Sequence, residues 1–213
     1  MKFKVITLFP DFAKPLENYS VIGRAIKNRK IKIDLINLRD FGIGKHKQVD
    51  GKPYGGGAGM LLRVDVIEKA IKLALKKKSR KKKVILLSPE GKKFSQKKAR
   101  EYADFEELIL ICGHYEGFDE RVKNYVDEVI SVGDFVLSGG EIPAMTIIDA
   151  ISRLVPNVIN PDSLESESFT CEDFVDYPQY TRPEEFGGEK VPDILLSGDH
   201  QKINQWRNKK RVR

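Results

Sequence analysis

Three stretches of this chain carry residue types that do chemistry. The first is SGGEIP at 138–143, which follows an apolar run at 129–137 and precedes a helix-like segment reaching Leu154. The expected order is buried strand, glycine turn, helix. A Gly-Gly pair lets backbone approach a ligand more closely than any Cβ allows, and Pro143 suits a first helical turn, where its N–H would be unpaired anyway. That is the pattern of a binding-site wall, with a plain strand-to-helix turn as the simpler alternative. The second stretch, 42–59, holds seven glycines and runs into KPYGGGAGM. Loops of this length inside compact domains are usually functional, and so many glycines suit backbone packed on a flat or phosphorylated ligand. It is neither a GxxxxGK[ST] P-loop nor a GxGxxG turn, and a merely flexible loop is the other reading. The third, HYEGFDERV after Gly113, offers Glu116, Asp119 and Glu120. These suit a cationic or hydroxylated ligand or, for Asp119 and Glu120, the dipole of a helix N-terminus.

The elements that must position these stretches follow from apolar patterning. Val5, Ile6, Leu8 and Phe9 read as a strand stopped by Pro10-Asp11. Ser20 is expected to cap a helix over 21–28, and 31–38 alternates apolar with polar residues as a half-buried strand does. Strand, helix, strand implies a parallel α/β sheet. Asp65 is expected to cap a helix to about residue 77, with Val66, Ile67, Ala70, Ile71 and Ala74 as its apolar stripe. A short strand over 84–87 ends at Ser88-Pro89, with Glu90-Gly91 completing a turn. Ser95 caps a helix to Tyr102, and 108–112 is a buried strand ending at Gly113. Ligands of open α/β sheets sit beyond the carboxyl ends of strands, so Ser88, Pro89, Gly113 and the turn at 138–140 form one expected pocket.

The 213 residues leave room for one full domain and a small second one. No run approaches the roughly 18–20 apolar residues of a membrane span, and the N-terminus lacks a signal-peptide cleavage pattern, so no membrane association and a cytoplasmic location are expected. Cys112 and Cys171 are too far apart for a CxxC pair and read as inert thiols. His46, His114 and His200, without clustered cysteines or carboxylates, give no transition-metal site. The net charge of +7 favours a polyanionic partner, although much of it lies in KKKSRKKK at 76–83, where a solvated loop is the commoner reading. Beyond Leu154 the composition turns polar, with Pro156, Asn157, Asn160, Pro161 and Asp162 ending the helix. The expected division is a first domain over 1–159, a linker over 160–172 and a small domain over 173–213 with a basic end, QWRNKKRVR.

TLFPDF, SVIGRAI, NLRDFG, KPYGGGAGM, LLSPEG, ICGHYEGFDERV, SVGDFVLSGGEIPAM, the DYPQYTRP block and VPDILLSGDH with QWR occur in order along nearly the whole chain. In these blocks the chain resembles the bacterial tRNA (guanine-N1)-methyltransferases, the TrmD family. The resemblance implies a SPOUT-type α/β fold: a parallel sheet flanked by helices, a deep trefoil knot closing the first domain, and a small helical C-terminal domain. A knot is an exception to the rule that folds are unknotted. The resemblance further implies a homodimer with an active site shared between subunits, bent S-adenosylmethionine in the knot, and methylation of N1 of the guanosine 3′ of the tRNA anticodon, position 37. Mg2+ is implied as a further cofactor, with no residues to name for it. A tRNA-binding relative with weakened catalysis, or a SPOUT enzyme acting on another base, are the alternatives.

By the same resemblance Ser88 and Pro89 match the first cofactor loop, and Gly113, Tyr115, Glu116 and Gly117 the second. Ser131, Val132, Gly133, Leu137, Gly139, Gly140 and Pro143 match the third. Adenine is flat and is read by backbone groups in a narrow slot, while a carboxylate such as Glu116 offsets the cofactor's positive charge. Tyr54, Gly55, Gly56, Gly57 and Gly59 match the segment near the target base, and His200 is expected on the substrate side. Guanine N1 holds its proton at neutral pH, so methylation needs a base and a cation at O6. Arg153 matches the cation; a helix-end surface arginine is its alternative. Glu167 matches the base, but the family usually has aspartate before Ser-Phe. The added methylene moves the carboxylate by about 1 Å, a displacement that can cost roughly 100-fold. Members of the family usually continue for a few more helical turns after the QWR block, which leaves a shortened protein or a longer one as alternatives.

Overall fold

The computed structural model describes residues 1–76, 79, 81–165, 167–169 and 175–211. Lys77, Lys78 and Arg80 of the basic run, Cys171, the 170–174 part of the linker and domain boundary, and the last two residues of the basic end lie outside the described residues. The chain divides into two compact units, Met1–Ile159 and Asn160–Arg213.

Among the described residues the strands of the first unit are β1 (Lys2–Thr7), β2 (Lys32–Asn37), β3 (Asp50–Gly51), β4 (Leu61–Leu62), β5 (Lys82–Lys93), β6 (Glu107–Cys112) and β7 (Glu128–Ser131), β3 and β4 forming a short antiparallel pair of their own. The other strands make a five-stranded sheet of order β2-β1-β6-β5-β7. Every pairing in it is parallel. Parallel strands buried on both faces read as continuous apolar runs, and β6 is buried at every position. Alternate residues serve opposite faces. Phe3, Val5, Ile85, Leu87, Leu108, Leu110 and Cys112 join the core beneath α1 (Ser20–Lys27), α3 (Gln96–Ala103) and α4 (Glu141–Ser152). Ile6, Val84, Leu86, Ile109 and Ile111 face α2 (Val64–Leu75). A buried charge pair, Lys4 Nζ to Glu107 Oε1 at 2.8 Å, ties β1 to β6. No described helix is long and apolar enough to cross a membrane.

Several expectations are corrected. The apolar run at 129–137 is not one buried strand: β7 stops at Ser131, and Phe135 and Val136 are 55% and 87% exposed in a loop. Apolar type alone does not supply a pairing neighbour, and the run has one only at its start. Glu90-Gly91 does not close a turn either. Leu87 and Lys92 of β5 both pair with Ile130, and a residue has one neighbour on each edge. The two halves of β5 therefore flank opposite edges of β7, with 88–91 passing between them. A Cβ on Gly91 would lie 2.5 Å from Ile130 N, so the crossing requires glycine there. Ser20 does not cap α1. Tyr19 takes that place without a side-chain bond, and Ser20 itself has φ 45°. Arg63, not Asp65, is the N-cap of α2, and Asp65 instead pairs with Arg63 at 2.9 Å. Ser95 does cap α3, accepting from Lys98 N at 3.3 Å.

The second unit carries α5 (Pro161–Glu165), a short hairpin of β8 (Glu185–Phe186) and β9 (Glu189–Lys190), α6 (Asp193–Leu196) and α7 (His200–Lys210). Here the guanidinium of Arg207 lies 5.0 Å from the centre of the Tyr177 ring, and Trp206 packs on Tyr180 at 6.4 Å. The aromatic DYPQYTRP block thus forms a seat for α7.

Candidate functional site

The end of the first half of β5 and the carboxyl ends of β6 and β7 open into one cleft of about 410 Å3. From β5 come Ser88 and Pro89; from β6, Gly113, Tyr115, Glu116 and Gly117. From β7 and the turn into α4 come Ser131, Val132, Gly133, Leu137, Gly139, Gly140 and Pro143. Every residue that the resemblance gave to the cofactor lines this cleft. Its volume is within the roughly 300–1,000 Å3 of small-molecule sites.

The walls are as close as glycine allows. A Cβ on Gly140 would lie 2.6 Å from Cys112 Cα and Gly113 N, where the Gly140 amide also donates to Gly113 O at 2.8 Å. The β6 loop and the glycine turn are thereby held backbone to backbone. Ser131 shapes the third loop: its hydroxyl donates to Gly133 O at 3.0 Å and accepts from Gly133 N at 3.3 Å. The turn is braced from β1, where Thr7 Oγ donates to Glu141 Oε1 at 2.5 Å and accepts from Phe9 N at 2.9 Å. Burial, and secondarily the Glu141 charge, pushes the Cys112 thiol well above its ordinary pKa, which keeps it protonated and inert.

The carboxylates of the second loop have different roles. Asp119 Oδ1 accepts from Arg121 N at 3.0 Å, and its two oxygens take Arg121 Nε at 2.8 Å and Nη2 at 2.6 Å. That hydrogen bonding holds the Asp119 carboxyl below its usual range, so Asp119 starts a 3-10 turn as the alternative reading had it. Glu120 pairs with Lys123 at 2.6 Å. Among the described residues, no hydrogen bond or ion pair engages the Glu116 carboxylate.

The glycine-rich loop does not line the cleft; it is joined to it. Glu116 N donates to Met60 O at 3.0 Å, Leu62 N to Gly117 O at 2.9 Å, and Asp119 N to Leu62 O at 3.0 Å. Leu62, wholly buried, fixes this ladder to the core. Gly55, Gly56, Gly57 and Gly59 all have positive φ, and Tyr54 stands fully exposed at the tip. Arg153 is the C-cap of α4, at the end of the helix that begins in the glycine turn. Glu167 and His200 belong to the second unit, His200 as the first residue of α7.

Among the cleft residues that sequence patterning missed are His114, Phe118 and Phe135. The Phe118 ring lies under Gly113, where a Cβ would be 2.9 Å from it. The signal available was a lone large apolar residue in an acidic stretch. His114 stacks edge-on with Phe9 at 5.1 Å and Tyr115 at 4.9 Å, contacts that no local pattern announces.

Comparison with known proteins gives a concordant result. The family model for tRNA (Guanine-1)-methyltransferase TrmD matches residues 1–213. A tRNA (guanine-N(1)-)-methyltransferase of Malacoplasma penetrans is 51% identical over 207 residues, 97% of this chain and 90% of that protein. One from Clostridium acetobutylicum is 50% identical over 217 residues, covering 100% and 87% respectively. Another, from Lactobacillus johnsonii, is 48% identical over 213 residues, again 100% and 87%.

Proposed function

Since the chain belongs to the tRNA (guanine-1)-methyltransferase TrmD family, we propose that its cleft holds S-adenosylmethionine and that Arg153 and Glu167 carry the chemistry on the guanine. The protein is a tRNA (guanine-N1)-methyltransferase. The observation that carries the reading of the site is the convergence of three strand-end loops on one glycine-walled cleft of about 410 Å3. At Gly113, Gly139 and Gly140 the Phe118 ring, Glu141 and the Cys112 backbone pack where a Cβ would stand, which keeps the walls close and suits a flat adenine read by backbone groups.

When bound, S-adenosylmethionine supplies a methyl group on a positively charged sulfonium. Glu116, whose carboxylate has no hydrogen-bond or ion-pair partner among the described residues, offsets that charge, and Ser88 and Pro89 line the same cleft. Glu167 takes the proton from guanine N1, and Arg153 stabilises the negative charge that grows on O6. Tyr54 and the glycines after it receive the base once it leaves its stack, and His200 contacts the tRNA. The target is the guanosine at tRNA position 37. Mg2+ is assigned no residues: among the described residues no group of three or more histidine, cysteine, aspartate or glutamate side chains is arranged for a metal.

A deep knot is the reading of the topology, supported by β7 lying between the two halves of β5. A homodimer sharing its active sites is supported by Phe135, Val136 and Ile142 at the cleft's third loop and helix, all exposed apolar residues suited to a second copy. Single-turnover methylation by Glu167→Gln tests the assignment of the base. The rate is expected to fall at least about 100-fold; an unchanged rate removes Glu167 from that role.

A further inference from the structure

Gly59 was assigned to the guanine by resemblance, yet its nearest neighbour is a residue of the cofactor loop. A Cβ at Gly59 would lie 2.3 Å from Glu116 Cγ, 2.5 Å from Oε1 and 2.8 Å from Cδ. The Glu116 side chain therefore runs directly across the Cα of Gly59, in the space that a methyl group would take. Its backbone is fixed from the same side, with Glu116 N donating to Met60 O at 3.0 Å and Leu62 N to Gly117 O at 2.9 Å. Tyr115, with φ 58°, and Gly117, with φ 115°, flank it in conformations that leave its main chain little freedom.

The three glycines after Tyr54 serve the backbone alone. Gly55 and Gly56 have φ +83° with nothing within 4 Å of a Cβ, and Gly57 would meet only Pro53 at 3.9 Å. Gly59 is distinct because its missing side chain accommodates another residue's carboxylate. A carboxylate facing a cationic ligand is useful only in one rotamer, and displacing it by a methyl group turns it away.

The geometry points to Gly59 as a positioning residue for Glu116, so that the base-side loop sets the carboxylate that meets the cofactor. This rests on the reading of the cleft as the S-adenosylmethionine site. It also makes the two loops one mechanical unit: whatever orders one orders the other, and the coupling is reciprocal. The three atoms nearest a methyl group on Gly59 all belong to Glu116, a residue of the cleft.

The test is a double-mutant cycle on S-adenosylmethionine affinity, measured by calorimetry on the full chain without tRNA. Gly59→Ala is expected to weaken the cofactor at least about fivefold, a coupling typical of residues in contact. Glu116→Ala weakens it too, but removes the atoms that a Cβ at position 59 would strike. Gly59→Ala placed in the Glu116→Ala background is then expected to cost less than about twofold more. Gly44→Ala, at φ +68° with nothing within 4 Å, controls for backbone strain and leaves cofactor affinity unchanged.

Equal affinity in Gly59→Ala and the parent, or additive losses in the double variant, overturns the proposal while leaving the cleft assignment standing. Unfolding of Gly59→Ala is checked by circular dichroism; an unfolded single variant with a folded double variant supports the proposal, and both unfolded overturns it. A parent chain that binds no S-adenosylmethionine overturns both readings.

Discussion

The hydroxyl of Thr7, the last residue of β1, donates to Oε1 of Glu141 in the first turn of α4 at 2.5 Å. It thereby holds the start of the helix whose preceding turn walls the cleft. Thr7 is 1% exposed and also accepts from Phe9 N at 2.9 Å. Thr7→Val keeps the shape and leaves both partners unsatisfied, which is expected to cost about 1–3 kcal/mol in urea unfolding. Thr7→Ser is expected to keep most of that stability. Equal stability of Thr7→Val and the parent would show that the bond braces nothing.

The three atoms that Gly140→Ala would meet first are all backbone, at Cys112 and Gly113. The added Cβ would lie 2.6 Å from both Cys112 Cα and Gly113 N, with no flexible side chain to yield. Overpacking of this kind costs roughly 1–3 kcal/mol, and the displaced turn is expected to abolish measurable cofactor binding by calorimetry. Retained binding with retained stability would show that the two loops are not held as close as described.

Acid stability is expected to depend on Glu128. Burial raises its pKa, but hydrogen bonds from Lys83, Lys98 and Tyr102 outweigh that and bring it from 4.5 down to about 2. A depressed carboxylate contributes stability that is present above its unfolded pKa and lost as pH falls through the folded one. The loss is therefore expected between about pH 4.5 and pH 2, with a magnitude of about 2–3 kcal/mol. Glu128→Gln is expected to be less stable at pH 7 and to show a flatter acid limb. The check is urea unfolding across that range, and identical pH profiles for the two proteins would contradict it.

Tyr54 is fully exposed, so Tyr54→Ala is expected to change stability by less than about 0.5 kcal/mol. Base stacking on an aromatic residue contributes about 1–3 kcal/mol, so tRNA affinity in a filter-binding assay is expected to fall about 5- to 100-fold. Cofactor affinity should stay constant. Unchanged tRNA affinity would remove Tyr54 from the substrate side.

The strand runs were legible because burial demands apolar residues at every position of an interior parallel strand: 108–112 read correctly for that reason, as did the apolar part of β5 at 84–87, although that strand continues to Lys93 instead of ending at Ser88-Pro89. What remained hidden depends on partners distant in sequence. Nothing around Gly91 says that Ile130 lies beneath it, so a crossing read as a turn. Val136 is as apolar as Ile130, and only the absence of a pairing neighbour puts it in solvent. Asp65 has the type of a cap but sits beside Arg63, which captures it. The residues proposed for the cofactor come from ordered blocks that match a family, and one cleft gathers them; the contact of Gly59 with Glu116 is visible only in three dimensions.

The most direct test is transfer of labelled methyl from S-adenosylmethionine to a tRNA transcript, followed by digestion and nucleoside mapping, for the parent and for Arg153→Ala. The expected result is 1-methylguanosine at position 37 with the parent, and a single-turnover rate at least about 100-fold lower with Arg153→Ala. Methyl on another base, or an Arg153→Ala rate equal to that of the parent, would contradict the reading of the site.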